Sequence, residues 1–498
     1  MKQLEKHRSI FYALNLFALL FSCFASKMVA SPISIGDEPS SLPVILITIP
    51  NPNLGTDSLT PAYFTISDPQ GESFSSPIGI KYHGGYSVNF PKHSFRFEFW
   101  ADESGNTTED HSLLGMRSDD DWLLLSAYNE PLRARSMTCY DLWREIHKPY
   151  YHQQEPWAQS CINMAYAELY VNDTYCGVYL VAERVDRKLL KLMPFDGTMH
   201  GELYKGKEFG ATFFTEVPTS YDNSQPQLGG FVFKYPDTMI DWANLYDFLD
   251  FVVNADDEEF FNFIYQRGQI DNLVDYYIFM NTTLAVDNTG KNIYIAKYKE
   301  NEPYFFVPWD LDATMGNWYD GTPNPDYTIM LSNGLYNRLL TDKRPDGFCA
   351  RLLQRWNYLY GDIISHDHIM DLFLTHVNYL KDNGVYEREH EAWPFFAFNI
   401  TQITYLSNWL NNRLPWLDNQ IRTLTQETGL PEFTLSCCIY PNPANGRFTV
   451  VGAGTLQITN VLGQVILTKE ISETEQVELP KGLYIVTLDG HIHRVVVN

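Results

Sequence analysis

The chain has 498 residues, 45% of them hydrophobic and 15% aromatic, which is enough for more than one packed core and excludes a disordered or low-complexity protein. Its 61 acidic residues against 36 basic ones leave a formal charge of -25, which repels a nucleic-acid backbone at long range and argues against DNA or RNA as a partner. A triphosphate remains admissible, provided that local Lys or Arg groups and a divalent metal neutralise it.

In chain order, Met1 to Arg8 is polar and basic, Ile10 to Ala25 is apolar, and small residues follow as far as Ala30. This layout predicts a signal peptide over residues 1–30, since the apolar run is short for a membrane span. Cys23 fits a lipid-anchor motif poorly because of Phe21. No later segment is long and apolar enough to cross a bilayer. The cysteines beyond the leader, Cys139, Cys161, Cys176, Cys349, Cys437 and Cys438, permit disulfides in an exported protein, but they lack the CxxC pattern of a structural zinc site and their pairing stays open.

Leu42 to Ile49, Ile78 to Tyr82 and His93 to Phe99 read as strands, the last two around a Gly84-Gly85 turn. Trp122 to Ser126 reads as a buried strand, and Pro131 to Glu145 as a helix opened by Arg133 and Arg135. Asn172-Asp173 forms the turn of a hairpin between Tyr166 to Val171 and Val178 to Val181. From Asp241 to Met280 the apolar spacing is helical. A strand pair, Ile293 to Ala296 and Tyr304 to Val307, interrupts the helical half, and helices resume from Gly334 to Thr425. Residues 425–436 have linker composition, and 437–498 holds short alternating strands, as in a small β-sandwich.

The chemistry concentrates at the two ends of that strand pair, in Asp287-Asn288-Thr289-Gly290-Lys291-Asn292 and in Pro308-Trp309-Asp310-Leu311-Asp312. An Asp, a downstream Asn and a further Asp at a strand end supply the hard oxygens that hold a nucleotide's magnesium ions in phosphoryl transfer. In that reading Asp287 accepts or orients a hydroxyl proton, Asn292 and Asp310 are metal ligands, and Asp312 is a secondary metal candidate. A bare Asn-Gly turn is the competing reading of the first segment. Lys92, after the glycine turn, is a candidate phosphate contact, and Arg133 and Arg135 reach for the same cleft. Glu183 could hydrogen-bond a nucleotide, pair with Lys92 or form a plain strand-end salt bridge. GxSxG, HExxH and GxxxxGKS are all absent, which removes the simplest hydrolase, zincin and Walker readings. Asp310 and Asp312 as a glycosidase pair would lie close together on one strand face, so nothing compels that assignment.

Taken together, these residues resemble the CotH kinases. The resemblance spans 42–424 and rests on the glycine turn with Pro91-Lys92, the Arg-led helix, Glu168 to Asn172 through Gly177 to Glu183, and the two acidic segments with Gly316. It implies an α+β, atypical kinase-like fold, sheet-rich in its N-terminal half and helix-rich in its C-terminal half. It also implies ATP and Mg2+ as cofactors and Ser or Thr hydroxyls of a protein substrate as acceptors. By the same resemblance Asp287 is the catalytic aspartate, Asn292 and Asp310 are metal ligands, and Lys92 is the phosphate-binding lysine. The family departs from ordinary kinases in having Ala285-Val286 where His-Arg would stand and Asp310-Leu311-Asp312 for Asp-Phe-Gly.

The tail, with Tyr440-Pro441-Asn442-Pro443, Asn460-Val461-Leu462-Gly463 and Leu479 to Tyr484, resembles the C-terminal sorting domain of the type IX secretion system. It implies a secreted or outer-membrane surface protein handled by that machinery. A non-catalytic kinase-like surface binding or structural protein is the alternative, because fold does not guarantee activity.

Overall fold

The computed structural model describes residues 42–425 and 438–497, except 52, 70–72, 395–397, 441–443, 445, 462, 473, 489 and 490. The expected leader (1–30), Cys23, Cys437, the linker beyond Thr425 and the Pro441 to Pro443 motif fall outside the described residues.

Alternation along the first strands builds a barrel. Strand β1 (Val44–Thr48), β2 (Thr60–Ser67), β3 (Ser73–His83) and β4 (Ser94–Phe99) are followed by a short hairpin, β5 (His111–Ser112) and β6 (Ser118–Asp119). Next come β7 (Asp121–Leu125), β8 (Met164–Val171) and β9 (Thr174–Ala182). The order β1-β2-β3-β4-β7-β9-β8 closes on itself through a parallel β1 to β8 seam in which Ile45 faces Leu169. Closure leaves no free edge for another chain to pair with. Inward residues such as Ile47, Phe64, Ile78, Ile80, Phe97, Trp122, Leu124 and Val181 are fully buried, while Tyr63 between Ala62 and Phe64 points outward, as a period of two requires. The Asn172-Asp173 turn takes positive φ at both residues, the geometry of a tight primed hairpin.

The Arg-led helix begins later than its apolar spacing suggests, at Arg135, and runs to Ile146. Arg133 is the reason: its backbone is left-handed at φ 57, and its guanidinium gathers the carbonyls of Ala127, Tyr128 and Glu130 at 2.7, 3.0 and 2.6 Å. The chain therefore turns through these residues before helix can propagate.

Beyond the barrel, β10 (Glu202–Gly206), β11 (Gln227–Leu228), β12 (Phe231–Tyr235), β13 (Ile293–Lys297) and β14 (Tyr304–Pro308) form a five-stranded sheet in the order β11-β12-β10-β13-β14. The expected hairpin is thus one side of a larger sheet. Helices Ala243–Asn254, Asp257–Arg267 and Ile270–Thr283 precede it, and Gly334–Leu339, Phe348–Leu359, His366–Asp382, Val385–Ala392 and Thr401–Thr425 follow.

In the tail, β15 (Cys438–Tyr440), β16 (Arg447–Val451), β17 (Gly454–Asn460), β18 (Val465–Ile471), β19 (Thr474–Glu478), β20 (Gly482–Leu488) and β21 (His491–Val497) make two sheets, β15-β16-β19 and β18-β17-β20-β21. Phe448, Val450 and Val477 of one share a core with Leu456, Ile458, Val486 and Val495 of the other, which is sandwich packing. The coarse expectation of a sheet-rich first half, a helical second half and an all-β tail agrees with this architecture. Among the described residues no helix is long and apolar enough to cross a membrane.

Candidate functional site

The site hangs on the C-terminus of helix Ile270–Thr283. Buried Arg413 donates to the Asn281 carbonyl at 3.0 and 2.6 Å, a cation placed where the helix leaves carbonyls without partners. The helix ends on Leu284 in the left-handed region, and the chain drops into a 3-10 turn, Val286–Thr289, which presents Asp287. Asn288 then fastens this turn to both strands. Its buried amide donates to the Asn292 carbonyl at 2.6 Å and to the Trp309 carbonyl at 3.0 Å, and its own carbonyl accepts from the Tyr276 hydroxyl at 3.0 Å. Asp287, Asn292 and Asp310 are thereby held in one frame, although Asp287 and Asp310 lie on different segments.

Asn292 and Asp310 flank the open end of the β13–β14 hairpin, where Ile293 faces Pro308. Both have left-handed backbones, φ 55 and 60, a region that Asn and Asp tolerate better than other side-chain-bearing residues. The bends bring their side chains together, Asn292 Nδ2 donating to Asp310 Oδ2 at 3.1 Å. The Asn292 side-chain oxygen, Oδ1, is left without a donor among the described residues. Asp287 pairs with Lys291 at 3.3 Å. Asp312 accepts from Asn129 Nδ2 at 2.6 Å, and the same amide donates to the Tyr319 carbonyl at 2.8 Å.

Asp310 is open to solvent yet walled by protein on most sides, the position of a cleft floor. That crowding raises its pKa, with Asp287 adding to the rise and Lys205 and Lys291 opposing it. Burial, then Asp310 and Asp287, pushes Asp312 up to about 8. Asp287, Asp310 and Asp312 lie near enough to repel one another and, with the Asn292 amide oxygen, offer the oxygen chemistry that suits a hard divalent cation. Among the described residues, however, the carboxylates that close to within 4.8 Å of one another are those of Asp110, Asp119 and Asp120.

A basic wall adjoins this floor. Lys205 on β10 faces Tyr294 in register, its ammonium 5.6 Å from the Tyr294 ring and 5.2 Å from that of Trp309, and it makes no ion pair among the described residues. On the barrel side, Arg96 grips Asp121 at 2.9 and 2.7 Å, and Arg184 pairs with the same carboxylate.

The structure therefore brings Asp287, Asn292, Asp310 and Asp312 together and leaves Lys92, Glu183 and Arg135 elsewhere. Lys92 is completely buried, giving its protons to Glu389 at 2.5 Å and the Val178 carbonyl at 2.6 Å, with its ammonium 4.8 Å from the Tyr179 ring centre. Burial, opposed by Glu389, lowers its pKa to about 8. Arg133 joins this pair, reaching Glu389 at 3.0 Å. Arg135 is buried against Glu130 at 2.8 Å. Glu183 is buried as an acceptor for the backbone N–H groups of Asn163 and Arg117 at 2.8 and 3.2 Å. Of the readings open for Glu183, the strand-end salt bridge holds, with Arg117 Nε at 3.7 Å beside the backbone anchoring, and the pairing with Lys92 does not.

Sequence reasoning missed Asn129, Asn288 and Lys205. Asn288 was readable as an amide inside a turn, but its two carbonyl partners were not. Lys205 could have been flagged as the one cation in the short apolar run Glu202 to Gly206. Cys139, Cys161, Cys176 and Cys349 are free thiols.

The acidic and amide oxygens of Asp287, Asn292, Asp310 and Asp312 are thus bordered by the cations of Lys205 and Lys291. The family model described as CotH kinase protein matches residues 80–417, and the chain belongs to that family. Residues 438–497 match the secretion system C-terminal sorting domain, which marks the chain for export to the outer surface or beyond through that machinery. A search of curated proteins finds no match.

Proposed function

We propose that this chain is an exported phosphotransferase that moves a phosphoryl group from ATP to Ser or Thr hydroxyls of a protein. The observation that carries the reading is the Asn292–Asp310 contact at 3.1 Å in a cleft shared with Asp287 and Asp312. Phosphoryl transfer requires positioning and charge neutralisation rather than covalent chemistry from the protein. Asp310 and Asn292, with Asp312 beside them, would hold Mg2+, which when bound neutralises phosphate oxygens. Asp287 accepts or orients the proton of the acceptor hydroxyl, and Lys291 at 3.3 Å holds its carboxylate in place. Asn288 holds the turn and both strand ends in one geometry, so that the acceptor and the phosphates meet without rearrangement.

The test is magnesium-dependent transfer of labelled phosphate by the purified chain to casein or to itself. Equal labelling by Asp287→Ala would sink the assignment. The sealed environment of Lys92, which resemblance would aim at phosphate, favours a second reading: a non-catalytic surface protein on the same scaffold. A melting temperature unmoved by MgATP in wild type and in Asp310→Asn alike would support that reading instead.

A further inference from the structure

The chain carries a surplus of 25 negative charges, yet two half-buried lysines near the acidic cleft, Lys205 and Lys234, have no carboxylate within ion-pair distance among the described residues. Lys291, Lys297, Lys299 and Lys188 pair with carboxylates, whereas Lys205 and Lys234 are held half-buried in a sheet beside the acidic residues without one. Both lysines lie on neighbouring strands of the five-stranded sheet, and Lys234 is placed by an irregularity. Tyr204 pairs with Phe233 and Leu203 with Tyr235, so Lys234 is the extra residue between them. Such a bulge re-aims a side chain, and bulges concentrate beside active sites.

Opposite these lysines stand barrel groups. Arg184 follows β9, and His83 ends β3 just before the Gly84-Gly85 turn. Burial and then Arg184, Lys205 and Arg96 depress Lys234 to about 8. Burial and then Lys205, Arg184, Arg96 and Lys81 depress His83 to about 3. Cations of the barrel and of the sheet are therefore near enough to repel one another. Arg96 and Arg184 are already neutralised in part by Asp121, so the unanswered charge is that of the two lysines.

We propose that Lys205 and Lys234 form the sheet-side wall of a polyphosphate-binding cleft, and that Lys205, not Lys92, is the cation contacting phosphate beside Asp310. The proposal deepens the phosphotransfer reading and rests on it for the identity of the anion. Lys205 is suited to the role because the Trp309 and Tyr294 rings stiffen its position while leaving its ammonium free of carboxylates. A chain of phosphates lying along Lys234 and Lys205 would end at the Asn292–Asp310 oxygens, where a divalent cation would meet the terminal group.

The experiment measures binding of inorganic tripolyphosphate and of MgATP to the full chain by calorimetry, for wild type, Lys205→Met, Lys234→Met and Lys92→Met, with melting curves of each apo protein. Lys205→Met and Lys234→Met are expected to weaken tripolyphosphate at least tenfold with unchanged apo melting. The folded fraction of Lys92→Met is expected to bind it as wild type does. Unchanged affinity in Lys205→Met, or loss of tripolyphosphate binding in a normally melting Lys92→Met, would overturn the proposal. Tripolyphosphate binding without any phosphate transfer by wild type would support the cleft while overturning the phosphotransfer reading, whereas transfer without tripolyphosphate binding would overturn the cleft alone. Comparable affinities for the two probes identify the phosphate chain as the ligand, and tighter MgATP identifies a nucleoside triphosphate; both support the cleft.

Discussion

Replacing Lys92 by methionine keeps most of the side-chain volume and removes only the charge, so it separates a structural lysine from a phosphate-binding one. Lys92 and Glu389 are both wholly buried and 2.5 Å apart, and the ammonium also serves the Val178 carbonyl at 2.6 Å. Losing one partner of a buried ion pair costs about 3–5 kcal/mol, because the other charge is left without compensation. Arg133 still reaches Glu389 at 3.0 Å, and Glu389 still accepts from the Val178 N–H at 2.8 Å, which places the expected loss at the low end, ~3 kcal/mol. For a domain this large each kcal/mol moves Tm by ~2 °C, so the main transition should fall by about 6 °C. Because the chain has more than one folded unit, the melt should be followed by calorimetry and the transition of the larger unit assigned with a truncation of the tail. A variant that melted within about 1 °C of wild type while its KM for MgATP rose tenfold would refute the reasoning and return Lys92 to the phosphates.

Asp310→Asn should abolish the Mn2+-dependent rise in melting temperature that wild type shows, since it replaces an anionic ligand by a neutral one. Chelation with EDTA should lower wild-type phosphate transfer to background, and readdition of Mg2+ should restore it. Asn288→Ala should reduce kcat more than it changes KM, because it unties the turn bearing Asp287 from the Asn292 and Trp309 carbonyls at 2.6 and 3.0 Å, and it should cost about 1–3 kcal/mol in urea unfolding. Phe97→Ala, at a fully buried position in the barrel interior, should cost about 3–5 kcal/mol through the cavity it leaves; a cost under about 1 kcal/mol would contradict the closed packing.

Much of the barrel was legible because half-buried strands announce themselves with a period of two, and the Asn172-Asp173 turn fixed one hairpin outright. The β10 and β12 strands were not legible: Glu202 to Gly206 is buried on both faces apart from Lys205, which erases the alternation, and Phe231 to Tyr235 is only five residues long. Helix Arg135–Ile146 was placed early because its spacing runs back into residues whose carbonyls Arg133 had already claimed.

The sequence by itself determined the chemistry available: acidic and amide oxygens at the two ends of one hairpin, close in the chain and joined by local pairing, so that Asn292 and Asp310 had to meet. Only the tertiary structure decided which cations face them. Lys92 lies 297 residues from Glu389, and no local pattern records that pairing. Lys205 reaches the site through sheet pairing with β13, again across a long stretch of chain. A metal site built on a hairpin is specified by short-range spacing, whereas the partner of a charge is chosen by whichever opposite charge folding brings within a few ångströms, and in this chain folding buried the expected lysine and left others free.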